Sequence, residues 1–136
     1  MTGPTRPDDR GRSQARVVGT WRLLSFRTLT EEGALLPGPL GASPTGLLFY
    51  GSEGHMAVHM MPAAGPPEHL SYAGTWRLED DHMVHTLTVA ARRDWLGTKQ
   101  VRRVEHHGDR LTLTGTALST REQRVLVWER VPGPTR

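Results

Sequence analysis

Between residues 18 and 130 the sequence is a succession of short, strand-length runs cut apart by glycine, proline and acidic turn signals. No window of about 11 residues in it carries a convincing helical period. The first run, 18–30, ends at Glu31-Glu32-Gly33 and a Pro/Gly-rich loop over 36–45. Runs 46–50 and 55–61 flank Gly51-Ser52-Glu53-Gly54, a hairpin connection. A second proline-rich loop over 62–67 precedes run 71–78, with at most a helical turn near 67–70. Glu79-Asp80-Asp81 turns the chain into run 82–91, Leu96-Gly97 breaks it, and 100–106, 110–117 and 123–130 complete the series. This pattern predicts an all-β chain. A single antiparallel barrel of eight to ten strands is preferred to a sandwich, because closure removes both exposed edges. A barrel of eight strands also has room inside for one small ligand.

At 136 residues the chain is one domain's worth under a prior of about 150 per domain. Its 36% hydrophobic and 23% charged residues suit a globular core. Residues 1–16 alternate charges with prolines and glycines and read as a disordered or loosely attached arm, 17–131 as the barrel, and 132–136 as a tail. The absence of cysteine excludes disulfides, thiolate zinc sites and cysteine nucleophiles. No run approaches the roughly 20 apolar residues of a membrane span, and the first 16 residues lack the apolar stretch of a secretion signal. A cytoplasmic protein with no membrane partner is therefore expected. The net charge of +3 invites a nucleic-acid reading, but the basic residues are spread along the chain. Their tightest clusters, Arg92-Arg93 and Arg102-Arg103, are pairs rather than stripes, and aromatics for base stacking are only 6% of the chain, so no nucleic-acid partner is expected.

Seven segments in order carry a resemblance to a known family. They are Gly19-Thr20-Trp21-Arg22-Leu23-Leu24-Ser25-Phe26, Thr45-Gly46-Leu47-Leu48-Phe49-Tyr50, Gly54-His55-Met56-Ala57-Val58, Tyr72-Ala73-Gly74-Thr75-Trp76, Val84-His85, Trp95-Leu96-Gly97-Thr98 and Gln100-Val101-Arg102-Arg103-Val104. Together they resemble the microbial lipocalin-like domain family over roughly residues 17–131. The resemblance implies a calycin-type barrel with a central cavity, in which Trp21 plugs one end and Arg130 stacks on it. It fixes no chemistry, since some small lipocalin-like barrels of microbial biosynthetic pathways are cofactor-free cyclases or isomerases and others carry ligands. Gly-Thr-Trp-Arg-Leu occurs at both 19–23 and 74–78, which fits either two related half-barrels or two strands leaving similar glycine turns.

Strand side chains alternate faces, so each run offers two sets and the inward one meets a ligand. Tyr72, Gly74, Trp76 and Leu78 form the apolar set of their run. Met83, His85, Leu87 and Val89 form that of the next, placing one imidazole among hydrophobic side chains. In run 100–106 the set Val101, Arg103, Glu105 carries an exposed-type charge pair, which turns Gln100, Arg102 and Val104 inward. Leu126, Trp128 and Arg130 share a face that the resemblance turns inward. The candidate interior is thus Tyr72, Trp76, His85, Gln100, Arg102 and Trp128, with Trp21 and Arg130 closing an end. His85 is either a core histidine satisfied by a neighbour or a neutral acid/base and hydrogen-bond donor. Arg102 either lies at the rim or, buried without an acidic partner, calls for a carboxylate, enolate or polarised carbonyl on a ligand. Tyr72 and Gln100 would orient a ligand oxygen or satisfy one another.

Histidine spacing does not suggest a metal. His55 and His59 would sit about 13 Å apart on a strand, His82 and His85 point to opposite faces, and no His-Glu-x-x-His pattern occurs. No phosphate loop, nucleophile elbow or dinucleotide fingerprint is present, so no cofactor is expected. The methionines of 56–61 read as core or subunit-contact residues. Leu24 and Phe26, on the face opposite Trp21, would point outward and suggest a homodimer. These readings lead to a cofactor-free enzyme that cyclises or isomerises a hydrophobic, oxygenated small molecule, with His85 and Arg102 catalytic and Tyr72, Trp76, Gln100 and Trp128 binding. The alternative is a non-catalytic binder or carrier of a similar molecule.

Overall fold

The computed structural model of the chain describes residues 14–65, 69–116 and 122–133. Nine strands follow one another: β1 (Gly19–Leu29), β2 (Leu35–Pro37), β3 (Pro44–Tyr50), β4 (His55–Pro62), β5 (Leu70–Glu79), β6 (His82–Ala90), β7 (Lys99–His107), β8 (Arg110–Thr116) and β9 (Gln123–Val131). A single 3-10 turn, Arg93–Trp95, interrupts the connection from β6 to β7. All pairings are antiparallel between neighbours in the order β2-β1-β3-β4-β5-β6-β7-β8-β9, and β1 also pairs with β9 from Thr20↔Val131 to Leu29↔Gln123. β1 and β3–β9 therefore close an eight-stranded barrel, and β2 is an extra strand. The long β1 makes this possible: its first residues pair with β3 (Gly19↔Tyr50) and its last with β2 (Leu29↔Leu35).

Alternation of side chains builds the interior. In β4 the residues Met56, Val58 and Met60 are buried while His55 and His59 are exposed. Tight turns join neighbours, as where the Gly51 N–H donates to the His55 carbonyl at 2.8 Å and Gly54 takes a φ of 91°, a left-handed conformation that suits glycine. Trp21, Leu48, Met83, Leu87, Leu111 and Trp128 fill the centre of the core.

Two bulges shift the alternation. Between Leu23↔Trp128 and Ser25↔Val127 the strand β1 carries one extra residue, Leu24. The alternation slips by one there, so Phe26 turns into the core at 5% exposure instead of facing out as expected. Leu24 stays on the outside, and the outward apolar pair that suggested a homodimer is not formed. The second bulge places Thr88 between Gly74↔Leu87 and Ala73↔Val89, which turns Val89 out to 65% exposure, again against expectation. Here β5 and β6 approach so closely that a Cβ on Gly74 would lie 1.8 Å from the Thr86 carbonyl oxygen.

The connection over 36–45 holds more structure than its prolines and glycines suggested, with β2 at its start and Leu40 buried. Most of the expected N-terminal arm lies outside the described residues; 14–17 form a turn of helix whose last residue, Val17, is buried. The helical turn expected near 67–70 falls mostly outside them too, and Leu70 already belongs to β5.

Candidate functional site

The two ends of the barrel differ. At the end where β1 begins and β9 finishes, Trp21 pairs in register with Arg130, whose Cζ lies 4.3 Å from the indole centroid. Trp21 Nε1 donates to the Val17 carbonyl at 2.9 Å, and the Arg130 guanidinium donates to the carbonyls of Val18, at 2.9 Å, and of Arg16. Arginine, indole and the incoming chain seal this end. A hollow of about 520 Å³ lies outside it, lined by residues including Ser52, Gly54 and Trp76, and among the described residues none that lines it carries an unpartnered buried donor.

The opposite end holds a cavity of about 170 Å³. Phe26, Met60 and Leu70 give it apolar walls, Tyr72, Gln100 and Arg102 a polar floor, and Arg92, Trp95 and Arg124 line it as well. Trp95 arrives on the 3-10 turn, held by the Thr98 hydroxyl donating to its carbonyl at 2.6 Å. Arg92 braces it with its Cζ 5.5 Å from the Trp95 ring, while Tyr72 meets the ring edge-on at 6.5 Å.

Behind the floor runs a chain of hydrogen bonds whose proton positions follow from one donor. Arg102 Nη2 touches Gln100 at 3.1 Å, and since a guanidinium only donates, the atom it meets is the amide oxygen, Oε1. The Tyr72 hydroxyl meets the same oxygen at 2.8 Å and must donate to it. Tyr72 oxygen is then the acceptor for His85 Nδ1 at 3.2 Å, which makes His85 the Nδ1–H tautomer. Nε2 accepts in turn from the Tyr50 hydroxyl at 2.6 Å. Burial, aided by the Arg102 charge, lowers the His85 pKa to about 3, so the ring is neutral. Both phenols are raised above their ordinary value by burial, with Arg102 opposing the shift.

Arg102 is 8% exposed, and among the described residues no carboxylate comes within ion-pair distance of it. Its Nη1 is buried without a hydrogen-bond partner, and so is the Nε1 of Trp95, a residue that lines the same cavity. Arg92 and Arg124 are paired, with Asp94 at 3.1 Å and Glu122 at 3.0 Å respectively.

The residues singled out from the sequence separate into three groups. Tyr72, Gln100 and Arg102 meet at the cavity. His85 is buried behind Tyr72 and does not line it. Trp128 sits in the core with its Nε1 unpartnered, and Trp76, donating to the Gly51 carbonyl at 2.9 Å, stands toward the closed end. Sequence reasoning passed over Arg92, Trp95, Arg124 and Tyr50. Arg124 and Tyr50 could have been found, because Arg124 shares the alternation of Leu126 and Trp128, and Tyr50 that of Leu48. Nothing periodic marks Arg92 and Trp95, which leave the strands altogether.

Among the described residues, no three histidine, aspartate or glutamate side chains come together as a metal site, and no helix is long and apolar enough to cross a membrane. Among solved structures, a redesigned β-barrel is 15% identical, with 90% of this chain and 96% of that one covered at a TM-score of 0.54. An uncharacterized protein from Bacteroides eggerthii, also 15% identical, covers 84% of this chain and 98% of its own at 0.48. The first likeness is one of barrel fold alone. No curated protein matches. The sequence pattern of one family, described as the lipocalin-like domain, matches residues 18–131. That match spans every strand of the barrel, and the chain belongs to the lipocalin-like domain family.

Proposed function

We propose that the protein binds a compact hydrophobic molecule bearing an oxygen function, seated in the cavity with its oxygen on Arg102. The observation that carries this reading is a buried arginine, with no carboxylate beside it among the described residues and its Nη1 unpartnered, lining a cavity with apolar walls. An unmet charged donor is costly to bury, and a ligand acceptor offsets that cost. The sealed end opposite supports a one-mouthed pocket rather than a channel.

Catalysis of a cyclisation or isomerisation is the second reading, favoured by the pre-set polar chain from Arg102 to Tyr50. In it Arg102 polarises a carbonyl and the apolar walls hold the reacting ends together. His85 is a poor base for such a reaction. Both of its ring nitrogens are engaged and its pKa is lowered to about 3.

Titration of the isotopically labelled protein with 2-phenylethanol, phenylacetamide and phenylacetate, followed by NMR, tests the binding reading. Saturable shifts at Tyr72, Gln100 and Arg102 with at least one compound, and none at Trp76, are expected. Silence from all three overturns it. Chemical conversion of a bound compound over many turnovers would add the second reading.

A further inference from the structure

The donors carried by the residues that line the cavity specify more than an oxygen. Arg102 Nη1 and Trp95 Nε1 are both buried, both unpartnered and both incapable of accepting. The Tyr72 hydroxyl proton is already committed to Gln100 Oε1. That oxygen is occupied by Tyr72 and Arg102, which leaves the Gln100 side-chain NH2 as the amide's remaining group. An alcohol would bring a proton to a floor that is rich in donors. A neutral amide or ester would bring one good acceptor and leave the Arg102 charge uncompensated. A carboxylate supplies two acceptor oxygens and the missing negative charge.

Gly115 leaves room for the Arg102 guanidinium. It lies on β8 in register with Arg124 of β9. A Cβ at Gly115 would come 2.9 Å from the Val101 carbonyl oxygen, 3.2 Å from Arg102 Cγ and 3.3 Å from Arg102 Nη1. Any side chain there would press on the guanidinium at the nitrogen left without a partner. Size narrows the ligand further: a cavity of about 150 Å³ takes benzene, and this one measures about 170 Å³. A single ring or a similarly compact skeleton fits, and a long acyl chain does not.

We infer that the cavity takes the carboxylate of a compact hydrophobic acid, held by the Arg102 guanidinium and the Trp95 indole N–H, with Gly115 as the positioning residue that leaves room for the guanidinium. The inference rests on the binding reading above and names its ligand class.

Calorimetric titration with phenylacetate, phenylacetamide and 2-phenylethanol tests it. Phenylacetate is expected to bind about tenfold or more tightly than either neutral compound, the effect of one charged hydrogen bond. Arg102→Leu should erase that preference, and Trp95→Phe should weaken the acid several-fold while leaving the alcohol unchanged. Gly115→Ala should weaken the acid with the barrel's circular dichroism intact. Should Arg102→Leu fail to fold, Arg102→Lys replaces it and is expected to retain only part of the preference, because an ammonium lacks the planar fork. Equal affinity for acid and amide overturns the carboxylate assignment while leaving the binding reading standing. Failure of all three compounds to bind overturns both.

Discussion

The Tyr72 hydroxyl lies 2.8 Å from Gln100 Oε1 and donates to it, and this one bond sets the tautomer of a histidine that Gln100 does not contact in the chain of bonds. Because Tyr72 has spent its proton, His85 must donate from Nδ1 and accept at Nε2. Nitrogen NMR should show His85 as the neutral Nδ1–H form at neutral pH. A neutral Nε2–H ring would contradict the derived proton order.

The same burial makes His85 a source of acid sensitivity. In the unfolded chain it takes up a proton near pH 6.5, but in the barrel only near about 3. Between those values the unfolded state binds more protons, so His85 adds a dependence in which stability rises with pH and levels off above about 6.5. The slope from this group is at most about 1.4 kcal/mol per pH unit. Urea midpoints at neutral pH and at about pH 5 should differ more in the parent than in His85→Gln. Equal differences in the two proteins would remove His85 as the cause.

Alkaline titration has an unusually clean reporter, because Tyr50 and Tyr72 are the chain's two tyrosines. Burial raises both, so the folded state keeps protons that the unfolded state gives up from about pH 10. Stability therefore falls as pH rises through that point. Ultraviolet phenolate absorbance is expected to appear together with unfolding, in one cooperative step. A phenolate signal preceding the loss of β-sheet circular dichroism would count against the buried network.

Replacement of Arg130 by alanine removes a cation-π contact and two donations to the incoming backbone. A loss of about 1–3 kcal/mol in unfolding free energy is expected. Ligand affinity should be unchanged, since the cavity lies at the other end. Lost affinity at preserved stability would show that the two ends are not independent.

Gly74→Ala addresses the bulge between β5 and β6. A methyl group 1.8 Å from a carbonyl oxygen cannot be accommodated without parting the strands. A loss of about 3 kcal/mol or more is expected from denaturant unfolding. A near-neutral effect would mean that the close approach at Gly74 is not maintained in solution.

How much of this was legible in the sequence depends on which physical rule governed each residue. Tyr72, Trp76, Gln100 and Arg102 obey simple strand alternation, and all four lie inside as that rule requires. Phe26 and Val89 do not, because each stands beyond a bulge, and a bulge has no period to betray it. Interior placement was readable for His85, but its depth was not. Whether an inward side chain meets a cavity or hides behind a neighbour depends on cross-strand register, here His85↔Gln100 and Trp76↔His85, which sequence alone leaves free. Trp95 was quoted only as part of a family motif, since a tryptophan carried on a short 3-10 turn lies on no strand face to alternate.

The extra residue in β1 has a consequence for how the chain tolerates change. Upstream of Leu24 the strand sends odd-numbered residues such as Trp21 and Leu23 inward; downstream it sends even-numbered Phe26. The strand is written in two reading frames, one serving the sealed end and the other the cavity wall. Deleting Leu24 would therefore merge the two frames into one without turning either over: Ser25 would follow Leu23 directly opposite Val127, and Phe26 would keep its inward place opposite Leu126. Deletion of an ordinary paired residue such as Arg22 has no bulge to absorb it and would throw one half of the strand out of phase with the other.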